Sequence, residues 1–132
     1  MTSVRTPGTG TPTAPDVKLA EEYTVAAADV FLTVGVGEGQ FGTTDVLIGD
    51  TPVLRASGPI GHLRLGRGRD LGGKTLLVRT IVNDVSTLTN RMSVRYQLTG
   101  GAAKRDVVSR GTVTQQGHFL IFEAAFSLVR QA

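Results

Sequence analysis

Apolar and polar residues alternate with a two-residue period over much of this 132-residue chain, a pattern typical of β-strands. The clearest alternation lies in Met92–Thr99, where every second residue is apolar. From Lys74 to Val85, apolar residues occupy both faces of the predicted strand. Apolar residues on both faces indicate a strand at the centre of a sheet. These two segments are therefore predicted to form the most regular part of a β-sheet.

Shorter apolar segments fill most of the remaining chain, and clusters of glycine, proline, serine and asparagine separate them. Gly111 interrupts one of these segments, which predicts a β-bulge at that residue. The predicted short strands are residues 45–48, 53–56, 60–65 and 107–114. The predicted turns and loops are residues 35–42, 49–52, 57–59, 86–91 and 100–105.

Two segments fit either a helix or strands. In residues 16–32, Asp16 is a suitable helix cap, and the alanines and glutamates favour a single helix. The alternation of Val30 and Leu32 favours instead two strands with a break near residues 28–29, which is our prediction. In the last segment, residues 119–129, alternation predicts a strand, although residues 123–130 also suit a closing helix.

Seven to nine short strands with no internal repeat predict an all-β domain. We expect an antiparallel β-sandwich of the jelly-roll, Ig-like or C2-like kind over residues 17–132. The frequent glycine, 17 residues in all, suits many tight turns. Residues 1–16 are rich in Thr, Pro and Gly, and are predicted to form a flexible N-terminal arm because they carry little apolar surface to offset the entropy of ordering.

The sequence from Gly68 to Thr75 matches the P-loop pattern, in which Gly and four further residues precede Gly-Lys-Thr. A P-loop needs a helix directly after the lysine, because the helix N-terminus and the loop amides bind the phosphates. The residues after Lys74 are instead rich in Val, Thr and Ile, which disfavour a helix. We therefore interpret the match as a chance occurrence at a hairpin turn that leads into the central strand.

The same region carries four cations within eleven residues, namely Arg64, Arg67, Arg69 and Lys74. Arginine on a glycine-rich loop can bind an anionic ligand such as phosphate, a nucleotide or an acidic glycan. Asp70 lies among these cations, and no aromatic residue accompanies them to stack on bases. The net charge of only +3 is what solubility alone requires. We therefore expect no nucleic-acid partner.

The sequence provides few residues for catalysis or metal binding. The chain has no cysteine, which excludes disulfides, thiolate metal sites and a cysteine nucleophile. His62 and His118 have no partner at ligand spacing, and there is no Gly-x-Ser-x-Gly sequence. The loop aspartates, Asp45, Asp50, Asp70 and Asp84, do not have the spacing of a calcium loop. We therefore predict no enzyme activity, no catalytic residue, no metal and no cofactor.

The leading hypothesis is a non-enzymatic β-sandwich that acts as a binding or structural module through protein–protein contacts, including self-association. The alternative hypothesis is binding of an anionic ligand by the basic loop of residues 64–74. The first residues form no apolar leader, and no run reaches the ~18 apolar residues of a membrane span. The expected location is therefore the cytoplasm by default, without a membrane partner.

Overall fold

The computed structural model describes residues 14–131, so that most of the predicted N-terminal arm lies outside the described residues. Within these residues the chain forms nine strands and one helical turn. The elements are β1 (Val17–Val25), β2 (Asp29–Val36), β3 (Phe41–Ile48), β4 (Thr51–Ser57), β5 (Ile60–Arg67), α1 (Gly68–Leu71), β6 (Thr75–Asn83), β7 (Arg91–Thr99), β8 (Arg105–Thr112) and β9 (Phe119–Arg130).

The strands form two sheets, which confirms the predicted all-β sandwich. The five-stranded sheet has the order β1-β9-β6-β3-β4, and the four-stranded sheet has the order β5-β2-β7-β8. Neighbouring strands are antiparallel, except that β1 runs parallel to β9. The chain changes sheet at most connections, and it forms hairpins only from β3 to β4 and from β7 to β8.

The core lies between the inner faces of the two sheets, where alternate residues of each strand interdigitate. The largest fully buried side chains include Tyr96, Phe122 and Phe126. The rings of Tyr96 and Phe126 meet edge to face with their centroids 6.1 Å apart, a favoured aromatic geometry. The Tyr96 hydroxyl is buried without a well-formed hydrogen bond. Burial raises the pKa of this phenol, and an interaction with Ser109 offsets only part of the effect.

One buried side chain, that of Gln40, fixes the loop between β6 and β7. Its amide nitrogen donates to Asp84 Oδ1 at 2.7 Å and to the carbonyls of Thr89 and Arg91 at 3.1 and 3.0 Å. Its amide oxygen accepts from the backbone N–H groups of Val85 and Ser86 at 2.8 and 2.9 Å. The Gln40 amide thus gives this loop the hydrogen bonds that a neighbouring strand would otherwise supply.

The two segments whose sequences were compatible with either a helix or strands both form strands. Residues 16–32 contain β1 and β2 with a break at residues 26–28, and the last segment forms β9 along its whole length. In both segments, alternate apolar side chains face the core. Burial of this apolar face outweighs the intrinsic helix preference of the alanines and glutamates.

Several predicted turns were wrong because some glycines lie inside strands. The turn predicted at residues 35–42 is limited to 37–40, and β4 already begins at Thr51. Gly42 lies within β3, and it must be glycine because a Cβ there would come within 2.6 Å of Val36 Cγ2. Gly111 pairs regularly with Met92 and forms no bulge. A Cβ at Gly111 would lie 2.7 Å from Leu120 Cδ1, so this glycine permits close packing of the sheets.

The interpretation of residues 68–75 as a hairpin was also wrong, although the strand predicted after Lys74 is confirmed as β6. The two flanking strands, β5 and β6, belong to different sheets. The stretch is therefore a crossing between sheets and contains the helical turn α1. Among the described residues, no helix has the length and apolar character needed to cross a membrane.

Candidate functional site

The basic loop forms one wall of a surface groove of about 410 Å³ at one end of the sandwich. Three of the four predicted cations, Arg64, Arg67 and Lys74, line this groove together with Asp70. The fourth, Arg69, is not among the lining residues. The structure therefore brings most of the predicted anion site together and places one carboxylate within it.

The loop does not have the geometry of a P-loop. In a P-loop, backbone N–H groups must be free to bind phosphate oxygens. Here the loop amides donate to backbone carbonyls instead: Gly68 to Ala28 at 2.9 Å, Gly72 to Gly68 at 3.0 Å, Gly73 to Leu128 at 2.7 Å, and Lys74 to Leu71 at 3.0 Å. A strand rather than a helix follows the lysine. The amides of Gly68, Gly72, Gly73 and Lys74 are therefore not available to a phosphate.

The cations of the groove differ in how far their charge is compensated. Arg64 donates to Asp29 on β2 at 2.9 Å. This hydrogen bond lowers the pKa of Asp29 and raises the pKa of Arg64. Among the described residues, Arg67 and Lys74 form neither an ion pair nor a side-chain hydrogen bond. Arg67 and Lys74 are therefore the groove cations without a direct ion-pair partner among the described residues.

Arg130, at the end of β9 in the five-stranded sheet, holds the loop in place, a role that the sequence did not indicate. Its Nη2 donates to the backbone carbonyl of Arg69 at 2.9 Å. Its side chain covers Gly72, where a Cβ would lie 2.3 Å from Arg130 Cγ. Because Arg130 is distant from the loop in sequence, only the tertiary structure shows that it adds a fifth cation to this end of the sandwich.

A second candidate surface is the outer face of the five-stranded sheet, meaning the face directed away from the core. Its side chains form transverse rows because neighbouring strands are in register. In one row, called the charged row below, the sign of the charge alternates across all five strands. In the next row, called the apolar row, every residue is apolar. The charged row is Arg55, Asp45, Arg79, Glu123 and Lys18, and the apolar row is Pro52, Leu47, Leu77, Ala125 and Ala20.

Opposite charges in the charged row pair within the chain. Arg55 Nε lies 2.8 Å from Asp45 Oδ1, and Arg79 Nη1 lies 3.7 Å from Glu123 Oε2. The side chains of Arg79 and Glu123 are only 22% and 23% exposed. Opposite charges on adjacent strands contribute about 0.2–1 kcal/mol each. Neighbouring charges in the charged row therefore largely cancel, which lowers the desolvation cost when a partner surface covers the row.

The outer face also holds apolar side chains that contribute nothing to the core. Ile121 is 3% exposed, yet it lies on the outer face and is not part of the core cluster. Leu47 and Leu77 of the apolar row are half-buried. With Pro52 and Arg55 they line a shallow groove of about 490 Å³. The apolar residues on both faces of β6 were visible in the sequence, but the rows depend on strand pairing.

The outer face of the four-stranded sheet differs in character, because its central residues are polar. Arg95 on β7 donates to both carboxylate oxygens of Asp106 on β8, at 2.8 and 2.5 Å. These bonds, with one from Gln97, lower the pKa of Asp106 to about 2. One row of this face is polar throughout, because Thr33, Gln97 and Asp106 lie side by side across it.

The described residues show no arrangement suited to metal binding, since no group of three or more His, Asp or Glu side chains converges within residues 14–131. The ring of His62 packs on Phe31 with centroids 4.2 Å apart. His62 adopts φ +51°, and its N–H donates to Thr33 Oγ1 at 3.2 Å. The backbone carbonyl of His118 accepts from the Asp84 N–H at 2.9 Å. Both histidines thus have contacts that support the fold.

Fold and surfaces together define a two-sheet all-β protein with a basic groove at one end and a partly apolar sheet face. Comparison with known proteins found no matching family model, no similar curated protein and no similar solved structure.

Proposed function

We propose that this protein is a non-enzymatic β-sandwich module that acts through protein–protein contacts and associates with itself. The observation that supports this proposal is the outer face of the five-stranded sheet, where the apolar row lies beside an internally paired charged row. Contiguous apolar surface bordered by polar residues is characteristic of interaction sites. The outer face of the four-stranded sheet provides an internal comparison, because its central residues are polar.

The size of this face is adequate for a stable contact. Five strands about 4.8 Å apart and about eight residues long cover roughly 24 by 27 Å. This flat projection of about 650 Å² is close to the ~800 Å² that each partner buries in a standard interface. Pleating and protruding side chains add to the accessible area.

The proposal is tested by the variant Leu77→Lys, which places a charge in the middle of the apolar row on the central strand. Because Leu77 points away from the core, the variant should fold. Light scattering coupled to size-exclusion chromatography should give the wild type a mass above the 13.9 kDa of one chain, and Leu77→Lys the mass of one chain. The matched control is Gln97→Lys on the outer face of the other sheet, which should associate like the wild type. The proposal would be refuted by a wild type that remains monomeric at a protein concentration of about 100 µM, which lies between the dissociation constants of weak and moderate complexes.

Anion binding by the basic loop is the second candidate function. It is supported by Arg67 and Lys74, which share the groove with Arg64 and have no ion-pair partner among the described residues. Titration calorimetry with pyrophosphate should show binding that weakens as salt is added, because exposed charges are screened. The double variant Arg67→Ala/Lys74→Ala should abolish this binding, whereas Arg110→Ala on β8 should not affect it. Equal affinity in the double variant and the wild type would remove this candidate.

A further inference from the structure

We infer that two copies of this chain form a twofold dimer through the outer faces of their five-stranded sheets, with the axis parallel to the strands and midway between β3 and β6. This inference rests on the proposed self-association and adds its geometry. It follows from the alternating signs of the charged row. When two copies of this row face each other, opposite charges meet in only a few relative positions.

In a twofold interface the same patch is used by both copies, so that if one residue contacts another, the reverse contact also occurs. An axis parallel to the strands places each row opposite the same row of the partner, reversed from left to right. Apolar residues then face apolar residues, and charges face charges. An axis perpendicular to the strands cannot pair opposite charges in this way. If the charged row lay on such an axis, each residue would face the same residue of the partner, and like charges would meet.

The position of the axis is set by the order of signs. An axis running along β6 would place Asp45 opposite the partner's Glu123, which is repulsive. An axis midway between β3 and β6 places Asp45 opposite the partner's Arg79, and Arg55 opposite the partner's Glu123. Each of these contacts occurs twice, and each joins opposite charges. Like-charge contacts at an interface are strongly unfavourable, so the charged row discriminates between these positions of the axis.

An axis midway between β6 and β9 would also pair opposite charges, and the apolar groove distinguishes the two positions. The groove of about 490 Å³ lies over β4, β3 and β6, and Leu47 and Leu77 line it. With the axis between β3 and β6, the partner's Leu77 and Leu47 face this groove directly. With the axis between β6 and β9, Leu47 would face only the small Ala20 of the partner. The groove therefore favours the position between β3 and β6.

This arrangement agrees with the known packing of sheets. Sheets that pack face to face about 10 Å apart keep their strand directions within about 30° of each other. A twofold axis nearly parallel to the strands gives this alignment. The dimer would thus have four β-layers, with a new apolar layer between the two copies.

The test uses two variants with reversed charges, Asp45→Arg and Arg79→Asp. In each variant alone, residues 45 and 79 carry the same sign, so like charges meet across the axis and self-association should weaken about 100-fold. In an equimolar mixture, residue 45 of one variant faces the oppositely charged residue 79 of the other, and a heterodimer should form. Native mass spectrometry identifies it by mass, and light scattering gives its affinity. A second pair, Arg55→Glu and Glu123→Arg, repeats the test at the flank of the charged row.

The matched controls are Asp106→Arg and Arg95→Asp, which reverse a similar ion pair on the outer face of the other sheet and should leave dimers intact. Circular dichroism melts establish that every variant folds. If the wild type is monomeric, the proposed function itself fails. If the wild type associates but the single variants associate equally well, only this interface is wrong. If both single variants are monomeric and the mixture forms no heterodimer, the axis does not lie between β3 and β6.

Discussion

The buried amide of Gln40 allows a quantitative prediction for the variant Gln40→Ala. The change removes five hydrogen bonds, one of them to the buried carboxylate of Asp84. A hydrogen bond to a charged group contributes about 1.5–3 kcal/mol, and the bonds to the loop backbone contribute less here because water can replace them. We expect the free energy of unfolding to fall by about 3 kcal/mol, and the melting temperature by about 10 °C for a domain of this size.

Hydrogen exchange measured by NMR separates this role from general loss of stability. The amides of Val85 and Ser86 should be protected in the wild type because they donate to Gln40 Oε1. In Gln40→Ala they should exchange much faster, while amides of β6 in the sheet retain protection until global unfolding. The control Gln116→Ala removes an exposed amide and should change stability by less than about 0.5 kcal/mol. Rapid exchange of Val85 and Ser86 in the wild type would refute this account of the loop.

Three further variants test other features of the fold. Tyr96→Phe removes a buried hydroxyl without a well-formed hydrogen bond and should raise the free energy of unfolding by about 1 kcal/mol in urea titrations. Because burial raises the pKa of Tyr96, the unfolded chain loses this proton first, so wild-type stability should fall as pH rises above about 10, and less so in Tyr96→Phe. The pKa of Asp106 is lowered to about 2, so the ionised carboxylate stabilises the fold above about pH 4, and this stabilisation is lost as pH falls towards 2. In thermal melts, the melting temperature of Arg95→Ala should decline less over this pH range than that of the wild type. Gly68→Ala should destabilise by about 3 kcal/mol in the same urea titrations, because its Cβ would lie 2.0 Å from the Ala26 carbonyl oxygen.

The fold class could be predicted because the two-residue period reflects which side of each strand is buried. In β7 the apolar positions Met92, Val94 and Leu98 all face the core, as the alternation indicates. The errors occurred where glycine has a packing role. Gly42 and Gly111 permit close approach within strands, and a single sequence cannot distinguish such glycines from those in turns.

The candidate surfaces were less predictable because they depend on which strands are neighbours. The basic loop was recognisable as a cluster of charge, but the pairing of Arg64 with Asp29 depends on the contact between β5 and β2. The charged row places Asp45 and Glu123 on either side of Arg79, although they are far apart in sequence. Periodicity identifies the face of a strand to which a residue belongs, but not its partners on adjacent strands.

The parallel pairing of β1 with β9 has a consequence for synthesis of the protein. Val17 lies opposite Phe122, so the first strand has no sheet partner until the ribosome has released almost all of this domain. β6 also lacks one of its two neighbours until then, because β9 lies between β1 and β6. Non-local pairing of this kind is slow, and unpaired strand edges expose incomplete chains to aggregation. The five-stranded sheet and its outer face therefore cannot be completed before β9 has been synthesised.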